Sequence, residues 1–385
     1  MKVLYDSQAF DMQNHGGVSR CFAELYRHLP NDVQARVGVL ETDNAYLQEL
    51  GFAKAGGIYE KFLCRKDSVL KYVLFKLCYN VRHGAYSQWN HKPKINRLET
   101  VEQLREGDFD VFHPTFFDPY FLKYIGCKPY AITVHDMIPE LYPQYYKSDN
   151  WQIAFKKMTI PRAAHVIAVS EHTKNDLCRM MGIKEDNVSV VYHGVDENPY
   201  VPTPEIVHDY EYILYVGERH YYKNFNTFAK SCLPILKRHK DLKIVCTGKP
   251  FTDEENRMFE EWGVKARFVH RFARTNQEML DLYHYAVAFV YPSSYEGFGI
   301  PILEAYKAKC PVLLNNASCF PEIAGDAAVY FDMDERGTDF DGQFETFYRQ
   351  TTDERNRLVE KQNERLKRYS WTKAASQLAE IYRRM

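Results

Sequence analysis

The strongest chemical pattern in this sequence is the string SSYEGFGIPILEA, which runs from Ser293 to Ala305. An apolar run that predicts a β-strand precedes it. Pro301 then opens a predicted helix, where its missing N–H costs nothing. Such a turn directs backbone N–H groups outward at the positive end of a helix dipole, which favours a bound anion. We therefore predict an anion site formed by the backbone of Gly297, Phe298, Gly299 and Ile300.

Two carboxylates flank this turn. Glu304, about one turn into the helix, is placed to accept hydrogen bonds from a ribose diol, and Glu296 is placed to hold the hydroxyls of a sugar. Either residue alone is explained as well by a helix start or a turn. The complete thirteen-residue string favours ligand binding.

A second string, YVGERHYYKNF, follows the first predicted strand of the second half of the chain. Its Arg219 and Lys223 can converge on a diphosphate, Arg219 as a planar fork and Lys223 as a point charge. Two cations in a loop are more often solvated surface. Their position at the carboxyl end of a strand, where ligands bind in open α/β sheets, favours the phosphate interpretation.

Two weaker patterns lie in the first half of the chain. Gly16 and Gly17, after the first strand, let the backbone approach a ligand closely and then begin a helix, but they match neither a dinucleotide fingerprint nor a P-loop. His135, followed by Asp136, ends another strand. The pair is compatible with acid–base chemistry and equally with a turn in which the histidine bonds to the backbone.

Short β-rich runs alternate with amphipathic segments along nearly the whole chain, which predicts βαβ units with parallel sheets. The fold class we predict is α/β, with two doubly wound Rossmann-like domains facing each other across a cleft. We predict helices at 19–29, 150–161 and 171–181, the last with Ser170 as its N-cap. The expected domains are residues 1–196, a linker at 197–211, residues 212–368 and a helix at 369–385, for which packing on the first domain is one option.

Composition excludes several classes of protein. The 385 residues are 45% apolar and 26% charged, with a net charge of −1, which is typical of a soluble globular protein and argues against a globally basic nucleic-acid binder. The nine cysteines include no Cys-x-x-Cys pair, which argues against a zinc ribbon or a disulfide framework. With no signal-peptide pattern and no spanning apolar stretch, we expect a cytoplasmic protein.

One segment departs from this average. From Lys61 to Arg97 the chain carries nine basic residues against Asp67 alone, interleaved with apolar ones. This is typical of a basic amphipathic helix on an anionic membrane surface, and equally of a solvated helix face on the first domain. Peripheral attachment to the cytoplasmic membrane therefore stays open.

Taken together and in this order, GGVSR, FHPTFFDPY, TVHDMIPE, VSEHTKNDL, VGERHYYKN and EGFGIPILEA resemble the family 4 retaining glycosyltransferases of the GT-B fold, in particular bacterial polysaccharide-assembling members. The resemblance covers nearly the whole chain. It differs at His193-Gly-Val-Asp196, where many relatives have asparagine in place of His193.

The resemblance implies transfer of a hexose from a nucleoside-diphosphate sugar, of UDP or GDP type, to a saccharide or polyprenyl-linked acceptor in cell-surface polysaccharide synthesis. Glu304 then matches the ribose ligand and Glu296 a ligand of the donor sugar, while His135 matches the histidine that contacts the transferred sugar. Phe298 and Gly299 match the backbone that faces the sugar and phosphate of the donor. Arg219 and Lys223 match the pair that binds its diphosphate, and Gly17 matches the glycine nearest the phosphates.

We expect no cofactor and no metal. Asp108-Phe109-Asp110 and Asp332-Met333-Asp334 fit the Asp-x-Asp string of metal-dependent transferases, but such triplets arise often by chance, and we interpret both as structural. Arg219, Lys223, His135 and Glu296 are instead the predicted catalytic residues. The alternatives are a sugar-nucleotide epimerase on a similar scaffold and a non-catalytic scaffold that docks through the basic segment. No nucleic-acid partner is expected.

Overall fold

The computed structural model describes residues 1–53, 92–146, 150–204, 210–219, 221–334 and 337–385, with side chains from residue 95 in the second range. These residues form two parallel α/β units, which confirms the predicted fold class. Each unit places the carboxyl ends of its strands, and the loops that follow them, on one edge of its sheet.

The N-terminal unit has two three-stranded parallel sheets, in the orders β2-β1-β3 and β4-β5-β6, linked by a bridge between Phe112 and Tyr130. Its strands are β1 (Lys2–Tyr5), β2 (Gln34–Val37), β3 (Val111–His113), β4 (Ala131–Val134), β5 (His165–Ala168) and β6 (Val188–Val190). Its helices are α1 (Gln8–Met12), α2 (Gly17–His28), α3 (Ala45–Glu49), α4 (Lys92–Glu106), α5 (Ile138–Leu141), α6 (Trp151–Thr159) and α7 (Glu171–Met181).

The C-terminal unit has one six-stranded parallel sheet in the order β12-β11-β10-β7-β8-β9, the order of a dinucleotide-binding fold. Its strands are β7 (Tyr212–Tyr215), β8 (Lys243–Cys246), β9 (Phe268–His270), β10 (Ala288–Tyr291), β11 (Val312–Asn315) and β12 (Val329–Phe331), followed by the short hairpin β13 (Met333–Asp334) and β14 (Gly337–Thr338). Its helices are α8 (Phe225–Arg238), α9 (Asp253–Glu261), α10 (Asn276–His284), α11 (Ile300–Lys307), α12 (Phe320–Ala324), α13 (Phe340–Tyr348) and α14 (Thr352–Leu366).

The central strands are apolar along their whole length because helices cover both faces of each sheet. Every residue of β4, β10 and β11 is buried. The β7–β10 pair lies at the centre of the C-terminal sheet, where the strand order reverses. Loops that leave these two strands at their carboxyl ends are therefore adjacent, which is the usual place for a ligand in an open α/β sheet.

Two local predictions are confirmed. The Ser170 hydroxyl caps α7 by accepting from the Thr173 N–H at 3.0 Å, and Pro301 lies in the first turn of α11. The helix predicted at 19–29 begins two residues earlier, at Gly17, because the backbone turns directly from Gly16 into the helix. The helix predicted at 150–161 covers Trp151–Thr159 and continues as a tighter turn over Ile160–Arg162.

The last helix, α15 (Trp371–Arg383), crosses back to the N-terminal unit. Its apolar face, including Trp371, Leu378 and Tyr382, packs into the core that surrounds β1. There the hydroxyls of Tyr382 and Tyr5 are 2.8 Å apart. The described part of the linker at 197–211 contains no helix or strand. The two ends of the C-terminal unit are thus both tied to its partner domain.

Most of the basic segment from Lys61 to Arg97 lies outside the described residues. At its end, Arg97 donates to the Asp118 carboxylate at 3.2 Å and its guanidinium lies 4.4 Å from the centre of the Tyr120 ring. Across the described ranges, no helix combines the length and apolarity that a membrane span requires.

Candidate active site

The two strongest sequence patterns meet at the centre of the C-terminal sheet. Lys223 ends a single helical turn after β7, and its Nζ donates to the Glu296 Oε1 at 2.5 Å. The loops are also joined through their backbones, since the Ser294 N–H donates to the Tyr222 carbonyl at 2.7 Å. Both charged side chains are less than one-fifth exposed. The two loops are therefore adjacent in the structure, as the sequence predicts.

The glycine turn before α11 presents unused donors. Gly299 has a φ of +94° at the N-cap of α11, a conformation that L side chains rarely adopt. Gly297, Phe298 and Gly299 are buried, and within the described part of the chain their N–H groups donate to no protein acceptor. Buried N–H groups without an acceptor are rare and costly, so this turn is suited to an anionic oxygen.

Side chains in this turn are not the binding groups. Phe298 is 3% exposed and packs edge-on against His193, with ring centroids 4.8 Å apart. The Ile300 side chain faces the N-terminal unit, 3.8 Å from where a Cβ on Gly17 would stand. Gly16 is extended, and a Cβ there would meet the Gln13 amide at 2.3 Å. The contribution available from Phe298 is therefore its backbone.

The turn also forms the contact between the two units. A Cβ on Gly297 would lie 1.7 Å from the His135 carbonyl oxygen, so only glycine fits. The Gly297 carbonyl accepts from the Ser170 hydroxyl at 2.6 Å and from the Thr173 hydroxyl at 3.2 Å. The loops after β4 and β5 thus meet the loop after β10. The sequence indicated a weak motif around Ser170 but not this contact.

Glu304 lies on α11 and is bound from across the domain boundary. Its Oε1 accepts from Arg20 of α2 at 2.6 Å, and its Oε2 accepts from the Tyr283 hydroxyl at 3.2 Å. Burial alone would lower the pKa of Arg20, but the adjacent Glu304 carboxylate outweighs it and raises that pKa. The carboxylate predicted to bind ribose is therefore held in an ion pair that a ligand would have to share or displace.

Arg219 is on the same loop as Lys223, but its hydrogen bonds go to a different element. Its guanidinium forms two bonds to Glu255, at 2.8 and 3.1 Å, and it also donates to the carbonyls of Lys249 and Pro250. The side chain is 5% exposed. The structure thus brings Lys223 and the glycine turn together without the Arg219 guanidinium. Its diphosphate role stays a prediction that requires it to leave Glu255.

His135 lies half-buried beneath the glycine turn, and its buried Nε2 has no hydrogen-bond partner among the described residues. Burial lowers its pKa to about 4, an effect that Asp136 partly offsets, so the ring is neutral at pH 7. The Asp136 carboxylate instead accepts from the Ile138 N–H at 3.0 Å, which is a turn and not an acid–base pair with the histidine. The turn therefore differs from the predicted one, because its side-chain bond to the backbone comes from Asp136 and not from the histidine, and the catalytic role of His135 stays a prediction.

The aspartates of the first Asp-x-Asp string are bound by protein donors. Asp108 is paired with Lys2 and Arg36, and Asp110 accepts from the Lys2 N–H at 2.7 Å. In the part of the chain that the structure describes, the group of His, Cys, Asp and Glu side chains close enough for a shared ion contains neither triplet.

Sequence reasoning missed a row of tyrosines that crosses the cleft. Tyr145 of the N-terminal unit stacks on Tyr221 with ring centroids 4.8 Å apart and planes at 24°. Tyr142 lies 6.0 Å from Tyr222, the neighbour of Lys223. The signal was present in the strings LYPQYYK and RHYYKN, but only the fold places them opposite each other.

Two family models match the chain in succession. Residues 15–198 match the model described as "Glycosyltransferase Family 4", and residues 198–365 match "Glycosyl transferases group 1". Together they span nearly all of the two α/β units.

Curated relatives are also glycosyltransferases by name, and a solved structure shares the fold. The chain is 29% identical to the O-antigen chain mannosyltransferase RfbU of Salmonella typhimurium, over 53% of this chain and 57% of the relative. It is 27% identical to O-antigen chain mannosyltransferase B of Escherichia coli, over 60% of this chain and 64% of the relative. The chain thus spans about three-fifths of the length of these relatives. Anabaena HepE, solved with UDP and glucose, shares its fold with a TM-score of 0.71 at 14% identity, covering 100% of this chain and 99% of HepE.

Proposed function

Because this chain belongs to the glycosyltransferases described by the family 4 and group 1 models, we propose that it transfers a hexose from a nucleoside-diphosphate sugar to a saccharide acceptor. The acceptor is a growing cell-surface polysaccharide of the O-antigen type, free or polyprenyl-linked. The names of the relatives support this substrate class, and the UDP bound to HepE supports a nucleotide donor.

One observation carries the proposal. The buried N–H groups of Gly297, Phe298 and Gly299 donate to no acceptor in the described ranges, and they follow directly on Glu296, the partner of Lys223, at the point where both domains meet. Backbone donors and a lysine around one position are suited to a diphosphate. The neighbouring Glu296 and Glu304 are suited to hydroxyl groups, so the surroundings match a sugar linked through phosphates to a ribose.

The chemistry requires the bond between sugar and phosphate to break while negative charge builds on the departing diphosphate. Lys223 and the glycine-turn amides are fixed before the reaction and face that charge, so they stabilise the transition state more than the ground state. Glu296, relieved of Lys223, accepts hydrogen bonds from the sugar hydroxyls. Arg219 adds a second cation if it exchanges Glu255 for the diphosphate.

We propose that transfer needs no metal and retains the anomeric configuration. Lys223 and the helix dipole of α11 supply the positive charge that a metal provides in other transferases. His135, neutral at pH 7, contacts the transferred sugar as a hydrogen-bonding group and not as a cation. Contact between the domains excludes water, which protects the donor from hydrolysis.

The test is a thermal-shift and transfer assay with purified protein. Bound donor raises the melting temperature by mass action, so a screen of UDP, GDP and ADP identifies the base. Transfer is then followed with the matching sugar nucleotides and oligosaccharide acceptors, with and without a chelator. Stabilisation by none of the nucleotides would contradict the proposal.

The same assay separates the alternatives. An epimerase converts the donor to an isomer in the absence of any acceptor, whereas a transferase requires the acceptor for turnover. A non-catalytic scaffold consumes no donor under either condition. Product stereochemistry, read by NMR of the new glycosidic linkage, decides between retention and inversion.

Attachment to an anionic membrane through the segment from Lys61 to Arg97 is a separate proposal that rests on the sequence. Co-sedimentation with vesicles should require anionic lipid and weaken as salt increases, because the attraction is screened. Equal pelleting with neutral vesicles would contradict it.

A further inference from the structure

Three ligand-type side chains from separate elements of the N-terminal unit meet beneath the glycine turn. Cys21 lies on α2, His135 follows β4 and His193 follows β6. One ligand atom from each lies within 4.8 Å of the other two. His193 stands where many relatives have asparagine, and of the three side chains the proposed transfer reaction uses His135 alone.

Two of the three side chains are buried and His135 is half-buried. Cys21 is 2% exposed and His193 is 5% exposed, and the two imidazole rings stack with centroids 5.8 Å apart. The rings of Phe22, Phe298 and Trp371 lie against them. In this apolar setting the Nε2 atom of His135 is itself buried and has no partner within the described ranges. A polar atom without a partner at such a depth calls for a ligand, because burial has removed its water.

The donor set selects the kind of ligand. Two imidazole nitrogens and a thiolate sulfur suit Zn²⁺ and do not suit Mg²⁺ or Ca²⁺, which require oxygen ligands. In a tetrahedral zinc site such atoms lie about 3.3–3.6 Å apart, so shifts of about 1 Å would close the cluster around an ion. Three protein ligands leave a fourth position open.

We propose that Cys21, His135 and His193 form a Zn²⁺ site at the floor of the cleft. Binding takes a proton from the Cys21 thiol and forms a Zn–S bond, and the proton passes to solvent. At pH 8, an imidazole of ordinary pKa, about 6.5, is already neutral, so the thiol is the ligand that must lose a proton. Of the cations that act on these histidines, Arg20 is paired with Glu304 and Lys156 is paired with Glu140. Zinc binding therefore releases about one proton per ion.

Zinc bound at this site inhibits transfer, a consequence that rests on the proposed function. A zinc ion would hold the nitrogen of His135 that is otherwise available to the transferred sugar, and it would occupy the space beneath the glycine turn. Zinc and donor then compete. The ion is not a cofactor of transfer in this arrangement, so transfer proceeds when zinc is removed.

The test titrates metal-stripped full-length protein with Zn²⁺ by calorimetry, in two buffers that differ in their heat of ionisation. Wild-type protein should bind one zinc tightly and release about one proton. Cys21→Ser and His193→Asn should weaken this binding by at least about tenfold. The control variants Cys127→Ser, at an exposed free cysteine, and His270→Asn, on β9, should bind as wild type does.

Each result bears on the site. Tight binding that persists in both Cys21→Ser and His193→Asn places the zinc elsewhere and overturns the proposal, as does the absence of tight binding. Release of no proton from wild-type protein excludes the thiolate, a measurement that does not depend on how the variants fold. Cobalt substitution should add a sulfur-to-metal charge-transfer band that Cys21→Ser removes.

Activity is measured separately. Zinc should inhibit transfer by wild-type protein and not by His193→Asn. Because zinc binding is read without any sugar donor, failure of the transfer reaction and failure of the zinc site are distinguishable.

Discussion

Arg20 of the N-terminal unit donates to Glu304 of the C-terminal unit at 2.6 Å, across the boundary between the domains. Both side chains are more than four-fifths buried, so the pair is not a solvated surface contact. The carboxylate that the glycine-turn motif predicts for ribose is thereby connected to the helix that begins at Gly17. The proposed nucleotide binding and the observed domain contact therefore share one side chain.

Glu304→Gln should weaken nucleotide binding by about 10- to 100-fold. It replaces a charged acceptor for the ribose diol with a neutral one, and hydrogen bonds to charged groups are worth about 1.5–3 kcal/mol. Isothermal titration with the nucleotide from the screen measures the change. Glu364→Gln is the matched control, since Glu364 is 71% exposed on α14 and paired only with a neighbouring lysine. Equal affinity for both variants would remove Glu304 from the ribose site.

Lys223→Ala should lower kcat/KM by about 10²–10³, because it removes a fixed charge from the departing diphosphate. It also leaves the Glu296 carboxylate without its partner at 2.5 Å. The comparison variant is Lys249→Ala, at a lysine that is 80% exposed and paired with Glu218. Removal of a fixed donor should cost far more than about threefold. A smaller loss of kcat/KM in Lys223→Ala would therefore exclude Lys223 from catalysis.

Gly297→Ala should abolish the close contact between the domains while leaving each domain folded. The added methyl would lie 1.7 Å from the backbone oxygen of His135, and backbone cannot yield as a flexible side chain does. We expect transfer to fall by more than about 100-fold, since misplacing the two halves of the site by about 1 Å has that effect. Small-angle scattering should report a larger radius of gyration.

The control for this variant is Gly342→Ala. Gly342 lies within α13 and has open space where a Cβ would stand, so alanine is tolerated and favours the helix. Normal activity and an unchanged radius of gyration in Gly297→Ala would contradict the importance of the contact.

His113 should make stability decline in acid. It is fully buried, and burial, with a smaller effect from His135, lowers its pKa from 6.5 to about 3. Below pH 6.5 the unfolded chain therefore binds a proton that the folded chain does not. The free energy of unfolding should lose about 1.4 kcal/mol per pH unit between pH 6.5 and 3 from this group, and nothing above pH 6.5.

The variant His113→Gln lacks this titration. It loses bonds to the Tyr382 and Thr133 hydroxyls and should be the less stable protein at pH 7.5. The stability gap to wild type should narrow by about 1.4 kcal/mol between pH 7.5 and 5.5, as measured by urea unfolding. Other groups titrate alike in both proteins and cancel. A gap that stays constant would mean that His113 is protonated equally in the folded and unfolded states.

The predictable part of this protein is the part fixed by local pattern. Alternating apolar runs and helices determine the two α/β units, and the position of a loop after β7 or β10 is enough to bring Lys223 to Glu296. The glycine turn follows from Gly299, which adopts the positive φ, and from Pro301, which opens the helix, so the local sequence is enough to predict it.

The remaining features depend on partners that are distant in sequence. Arg219 faces Glu255, which is 36 positions away in another element, and Arg20 reaches Glu304 over 284 positions. No local pattern contains either pairing, because each is decided by how elements pack. The same holds for His193. The sequence shows a histidine where many relatives have asparagine, but its proximity to Cys21 depends on how three separate elements pack.

The stack of Tyr145 on Tyr221 should stabilise the arrangement in which the domains are in contact. Its rings belong to opposite domains and are 37% and 51% exposed, so the pair contributes little to the fold of either one. An aromatic pair of this kind is worth about 0.5–1.5 kcal/mol, which corresponds to about a 2- to 12-fold change in the population of the closed form.

Tyr145→Ala and Tyr221→Ala should therefore raise KM for the donor and increase the ratio of donor hydrolysis to transfer, because an open cleft admits water. Tyr145→Phe keeps the ring and should behave as wild type does. The double alanine variant should be no worse than either single one, since each removes the same contact. Additive effects on KM, or a hydrolysis ratio that none of the variants changes, would show that the two tyrosines act independently and that their stacking does not close the cleft.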